Sequence, residues 1–184
     1  MAPQQLPPGI ISPLLHLQQM LHKFWREELR QPLPVAFWKI EDDDIFFDAL
    51  QYLPGCVACH GGPRGDGYTA EDIHVLPRGF QIALAIFELE DGMTTDGWTA
   101  FQNLGEENLR EVVQCYREAG LRTRAGMLEK LIEVFASDPE NEDALSEAAN
   151  GQFPDLIDDR EDSAALIAFL RDDADAKFGL LVLE

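Results

Sequence analysis

Apolar residues return every three or four positions through most of this chain, and they do so between recognisable helix starts and stops. Ser12 is a good N-cap with Pro13 at the first helical position, and Leu14, Leu17, Leu21 and Phe24 or Trp25 follow on one face until Pro32 and Pro34. Glu41 to Asp44 form an acidic helix start before Ile45, Phe46, Ala49, Leu50 and Leu53, with Pro54-Gly55 as the stop. Further helices are predicted over 81–91, 106–119 (with Gly120 just past its end) and 122–136. A weaker helix capped by Ser137 or Asp138 before Pro139 reaches Ala149, and a last one starts at Ser163 and runs through Leu170. Only Val35 to Ile40 and Leu180 to Leu183 read as extended. The pattern therefore predicts an all-α fold of about six to eight helices.

Residues 1–11 are Pro-rich and lack a periodic face, so a flexible arm is expected there, followed by a single helical domain over 12–184. From Gly55 to Gly67 five glycines and Pro63 predict one irregular loop. The sequence opens without a basic segment leading into an apolar one, and no apolar run is long enough for a membrane span, so a cytoplasmic location is expected. Three cysteines, Cys56, Cys59 and Cys115, do not make a disulfide scaffold.

Charge sets the function classes. The chain holds 34 Asp and Glu against 14 Lys and Arg, a formal net charge of -20. Such a field repels nucleic acid and anionic membrane and attracts basic protein surfaces. Residues 137–184 alone hold 14 acidic and 3 basic residues. The candidate partner-binding residues are Asp158, Asp159, Glu161, Asp162, Asp172, Asp173 and Asp175, with Asp42, Asp43 and Asp44 assisting if they fold onto the same face. Carboxylates four residues apart on a helix lie about 6 Å apart along its axis, close to the phosphate spacing of a nucleic-acid strand. A row of them can occupy a groove shaped for phosphates.

Cys56-Val57-Ala58-Cys59-His60 matches the attachment pattern of c-type haem, for which Met93, Met127 or His74 would be axial ligands, and the same three residues with His74 could instead hold zinc. Against haem stands the missing export signal. Cys56 packing under the loop, with Cys59 and His60 incidental, is the plainer alternative. No nucleophile elbow, P-loop, dinucleotide fingerprint or His-Glu-x-x-His motif is present, so catalysis is not expected.

The stretch from Phe87 through Asp91-Gly92-Met93-Thr94-Thr95-Asp96-Gly97-Trp98 to Phe101-Gln102-Asn103 resembles the hallmark of the family containing the neisserial DNA-mimic protein. That hallmark is a helix ending in an acidic residue, a glycine turn before an aromatic, and a second aromatic three residues on. Thr95-Asp96 stands where the family usually has Asn-Gly. Glu118-Ala119-Gly120-Leu121 into Arg124-Ala125-Gly126-Met127-Leu128 resembles the next family feature, and the similarity covers about residues 70–178. Asp96, Gly97, Trp98 and Phe101 read as structural: Thr95 or Asp96 as a cap, Gly97 for a left-handed turn, and the two rings as core anchors. The resemblance implies a helical domain and an acidic surface that imitates DNA and sequesters a DNA-binding transcription factor. A toxin-immunity protein acting on one cognate toxin would use the same electrostatics.

Overall fold

The computed structural model describes residues 8–28, 30, 37–59, 73–151, 153, 156 and 159–179. Every regular element among them is helical, and none is a strand. Helix α1 (Pro8–Glu27) begins a turn before Ser12, leaving Pro13 inside it. One backbone bond is lost there, close to a terminus whose first four N–H groups have no helical acceptor anyway. The expected arm is thus helical from Pro8 onward. Leu14, Leu17, Leu21, Phe24 and Trp25 are buried.

A 3-10 turn, Phe37–Lys39, replaces the expected extended segment. Trp38 and Ile40 are buried and Lys39 is exposed, so the strand-like alternation is real but a tight turn produces it. Helix α2 (Asp43–Gln51) starts as expected, with the Asp42 side chain accepting the Ile45 N–H at 3.2 Å. Pro54-Gly55 does not open a loop. After Tyr52 alone, helix α3 (Leu53–Cys59) carries Pro54 at its second position, where the ring costs no helical bond. Helical structure therefore continues through Gly55 and Cys56, and residues 60–67 of the expected loop lie outside the described residues.

Helix α4 (Arg78–Asp96) outruns the apolar pattern over 81–91 and passes straight through Gly92. This glycine serves packing: a Cβ there would come within 3.1 Å of the Ala100 Cβ. Helix α5 (Thr99–Glu118) is kinked at Gly105 (φ 73°), and its second half is the helix expected from Glu106. Gly120 ends it in the left-handed conformation, the Leu121 N–H donating back to Tyr116 O at 2.8 Å. Helix α6 (Arg122–Ser137) matches the apolar spacing.

Two caps differ from expectation. Helix α7 (Glu142–Ala149) is capped by Asn141, whose side chain accepts the Ala144 N–H at 3.0 Å, because Pro139 lies in the preceding turn and not at the helix head. Helix α8 (Arg160–Arg171) starts a turn before Ser163, where Asp159 accepts the N–H groups of Glu161 and Asp162 at 3.0 and 3.1 Å. Helix α9 (Ala174–Phe178) follows directly, and Leu180 to Leu183 lie outside the described residues.

The elements group into two compact units, residues 1–84 with 170–184, and residues 85–169. In the first, Phe178 is fully buried with ring centroids of Phe80, Trp38 and Phe46 at 5.0, 6.3 and 6.5 Å. Gly79 makes room for it, since a Cβ there would sit 2.9 Å from the Phe178 ring. In the second, Phe101 is fully buried among Trp98, Phe135 and Phe153 at 5.5, 5.8 and 6.5 Å. Among the described residues no helix is long and apolar enough to cross a membrane.

Candidate anionic interface

The first unit gathers two of the acidic clusters singled out from the sequence. Arg171, at the end of α8, donates to the backbone carbonyls of Ile40 (2.6 Å) and Glu41 (3.3 Å), pairs with Asp43, and lies 4.8 Å over the Phe46 ring. One guanidinium therefore ties the start of α2, with Asp42, Asp43 and Asp44, to the chain that continues into Asp172, Asp173 and Asp175. Lys177 folds back onto the Asp172 carbonyl and stands 3.9 Å from its carboxylate. In both pairs the cation is the covered partner: Arg171 is 26% exposed against 64% for Asp43, and Lys177 18% against 88% for Asp172.

The second unit repeats this arrangement around Arg124, a residue the sequence did not mark. Its side chain is only 9% exposed; Nε donates to Asp162 Oδ2 at 2.5 Å, and Nη2 lies 4.0 Å from Asp159 Oδ2. Behind it sits Glu90, 2% exposed, with Oε1 3.6 Å from Arg124 Nη1. Glu90 Oε1 accepts the Tyr116 hydroxyl at 2.7 Å, and Oε2 accepts the Leu156 N–H at 3.2 Å. Burial, and then the neighbouring Glu90 charge, hold the Tyr116 phenol well above its usual titration range, so it stays protonated and donates. Asp159 and Asp162 are thus partly tied inward, while Glu161 is exposed. Asp158 lies outside the described residues.

A further acidic feature of the second unit lies where the sequence pattern marks only a helix cap. Asp138, Glu140, Asn141, Glu142 and Asp143 line an open depression of about 480 Å³. The family-like turn abuts it: Thr99 Oγ1 donates to Glu142 at 3.3 Å and Gln102 Nε2 to Pro139 O at 3.0 Å. Within the turn, Gly97 takes the expected left-handed conformation (φ 59°), and the Trp98 and Phe101 rings meet edge to face, Phe101 fully buried as a core anchor and Trp98 only half-buried. The expected cap does not form, because the Thr95 hydroxyl donates backward to Asp91 O at 2.9 Å and Asp96 instead accepts from Asn103 at 3.3 Å.

Cys56 is buried on α3, and Cys59 is the last residue of that helix. The Cys59 side chain and His60 lie outside the described residues, while His74 is exposed. Among the described residues no three His, Cys, Asp or Glu side chains are grouped as metal ligands would be.

Crowding of like charges has a measurable consequence on α2. Partial burial, and then the Asp44 and Asp42 carboxylates, push the Asp48 carboxyl above its ordinary 3.8. A raised carboxyl pKa means that the folded state disfavours the charged form. The stabilising contribution is present below pH 3.8 and is lost as the pH rises through the folded value. Asp48→Asn is therefore expected to raise the denaturant midpoint at pH 7, with the gain over wild type disappearing below pH 3.8. Equal midpoints at pH 7 would refute the raised carboxyl pKa.

The described residues form an all-α protein in which Arg124, Arg171 and Lys177 are more covered than the carboxylates they pair with at the surface. The family model described as DMP19-like protein matches residues 75–178, more than half of the chain, and the chain belongs to that family. No curated protein and no solved structure matches it.

Proposed function

We propose that this chain is a non-enzymatic binding protein of the DNA-mimic kind, which occupies the basic groove of a nucleic-acid-binding protein. One observation carries the reading: around Arg124, Arg171 and Lys177 the cation is covered and the carboxylates face outward. A duplex likewise presents its anionic groups outward, and the surface here departs from it at Arg160, which is exposed at the head of α8. Family membership and the net charge of -20 point the same way. Each compact unit offers its own candidate contact acids: Asp42, Asp44, Asp172, Asp173 and Asp175 in the first, with Asp43 oriented by Arg171, and Glu161 in the second, with Asp159 and Asp162 oriented by Arg124.

The test begins with capture of partners from lysate at low salt and identification of the bound protein. Titration of that purified partner then follows across a salt series and against duplex DNA as competitor. A mimic gives a nucleic-acid-binding partner, an affinity that falls steeply with salt, and displacement by the duplex. Retention that ignores salt or is unaffected by DNA sinks the idea, and a captured toxin with no nucleic-acid site replaces it with immunity.

A further inference from the structure

We propose that Arg124 is a positioning residue for the proposed interface, locking Asp159 and Asp162 into fixed orientations at the start of α8. This deepens the DNA-mimic reading and rests on it. The geometry is that of a shared clamp. Arg124 presents one positive charge to three carboxylates, Glu90 at 3.6 Å, Asp162 at 2.5 Å and Asp159 at 4.0 Å. Glu90, buried and tied to the Tyr116 hydroxyl and the Leu156 N–H, fixes the inner side of the guanidinium. The outer side then holds the two acids that begin α8, and these are 46% and 29% exposed.

The charge count gives the clamp a direction. Three carboxylates against one guanidinium leave the cluster negative, and the half-exposed acids carry that excess toward solvent. Among the described residues Arg124 Nη1, although buried, has no hydrogen-bond acceptor, so among them the guanidinium is held by charge at Glu90 and hydrogen-bonded through Nε. Asp159 is fixed a second time, because its Oδ1 already accepts the N–H groups of Glu161 and Asp162. Free surface carboxylates must be immobilised when a partner binds; these two are immobilised beforehand, which lowers the entropic cost of contact. A planar guanidinium holds Nε and both Nη atoms at fixed separations and so meets carboxylates on opposite sides in one set geometry, whereas a compact ammonium on a flexible stem has no such fixed spread.

The sign of the expected effect separates positioning from bulk electrostatics. The probe is a fluorescein-labelled oligoarginine peptide, titrated into the full-length protein at fixed salt. Arg124→Lys keeps the net charge, and positioning predicts binding about fivefold weaker, whereas bulk charge predicts none. Arg124→Met makes the chain more negative, so bulk charge predicts tighter binding and positioning predicts weaker. Arg160→Gln removes the same charge from an exposed site at the head of α8 and should bind at least as well as wild type.

Because Arg124 variants disturb a buried cluster, a second comparison works from the surface. Asp162→Asn and Glu161→Gln each remove one negative charge. Glu161 is the more exposed, so direct contact predicts the larger loss at Glu161, and positioning predicts it at Asp162. Helicity and thermal midpoint are measured alongside. Arg124→Lys binding as wild type does while its midpoint falls, or Glu161→Gln losing more than Asp162→Asn, overturns the proposal. A wild-type protein that does not bind the peptide overturns the mimic reading itself and the positioning role with it.

Discussion

Glu90→Ala is expected to cost about 3–5 kcal/mol of folding free energy, as removal of one partner from a buried ionic cluster generally does. Three interactions disappear together. The Tyr116 hydroxyl and the Leu156 N–H lose their acceptor inside the second unit, and each buried group left unsatisfied costs about 1–3 kcal/mol. Arg124 loses its inner counter-charge while remaining covered. Glu90→Gln should fall between the two: one of its terminal atoms still accepts, but the other becomes a donor facing either the Leu156 N–H or the guanidinium. Tyr116→Phe leaves Glu90 its other partners and should cost about 1 kcal/mol. Denaturant midpoints for the three variants and the Glu90→Ala/Tyr116→Phe double variant check this. A loss below about 1 kcal/mol for Glu90→Ala would mean that the carboxylate is not the centre of the cluster, and additivity in the double variant would mean that it is not coupled to Tyr116.

The all-helical class was legible because apolar spacing and caps are local, and each survives whatever the helix packs against. The acidic helix start at Glu41 to Asp44, Gly120 as a left-handed stop and the Trp98 with Phe101 pair follow from neighbours a few residues away. Local sequence misleads where a residue's role depends on distant chain. Gly92 looks like a stop from sequence alone, yet it is required by the approach of Ala100. Pro54 looks like a breaker, yet at the second position of α3 it is harmless.

The candidate interface divides along the same line. Runs of acids such as Asp42 to Asp44 are visible in one dimension. Their counter-ions are not: Arg171 sits 128 positions from Asp43, and Arg124 38 positions from Asp162. Glu90 illustrates the limit most clearly. In a chain with 34 acidic residues nothing in the sequence separates it from its neighbours, and only burial at 2% does so.

The triple variant Glu161→Lys, Asp172→Lys, Asp175→Lys is expected to weaken partner binding by at least about a hundredfold at low salt, since each site exchanges an attraction for a like-charge contact. All three side chains are exposed, none of the three carboxylates caps a helix or pairs with Arg124 or Arg171, and Asp172→Lys gives up a 3.9 Å contact with Lys177 while the Asp172 carbonyl still accepts from that ammonium. The helical fold should therefore persist. Three reversals of two units each move the net charge from -20 to -14, so weakening by itself proves little. The control is Glu107→Lys, Glu133→Lys, Glu147→Lys, which makes the same change at exposed positions outside the proposed surface. If binding responds to total charge, the two triple variants lose affinity equally. A mimic engages particular carboxylates, so the first variant should lose far more, and its dependence of log affinity on log salt should flatten by about three units, one for each contact removed. Equal losses in both variants would show that the acidity is a long-range field and not a shaped imitation of a phosphate backbone.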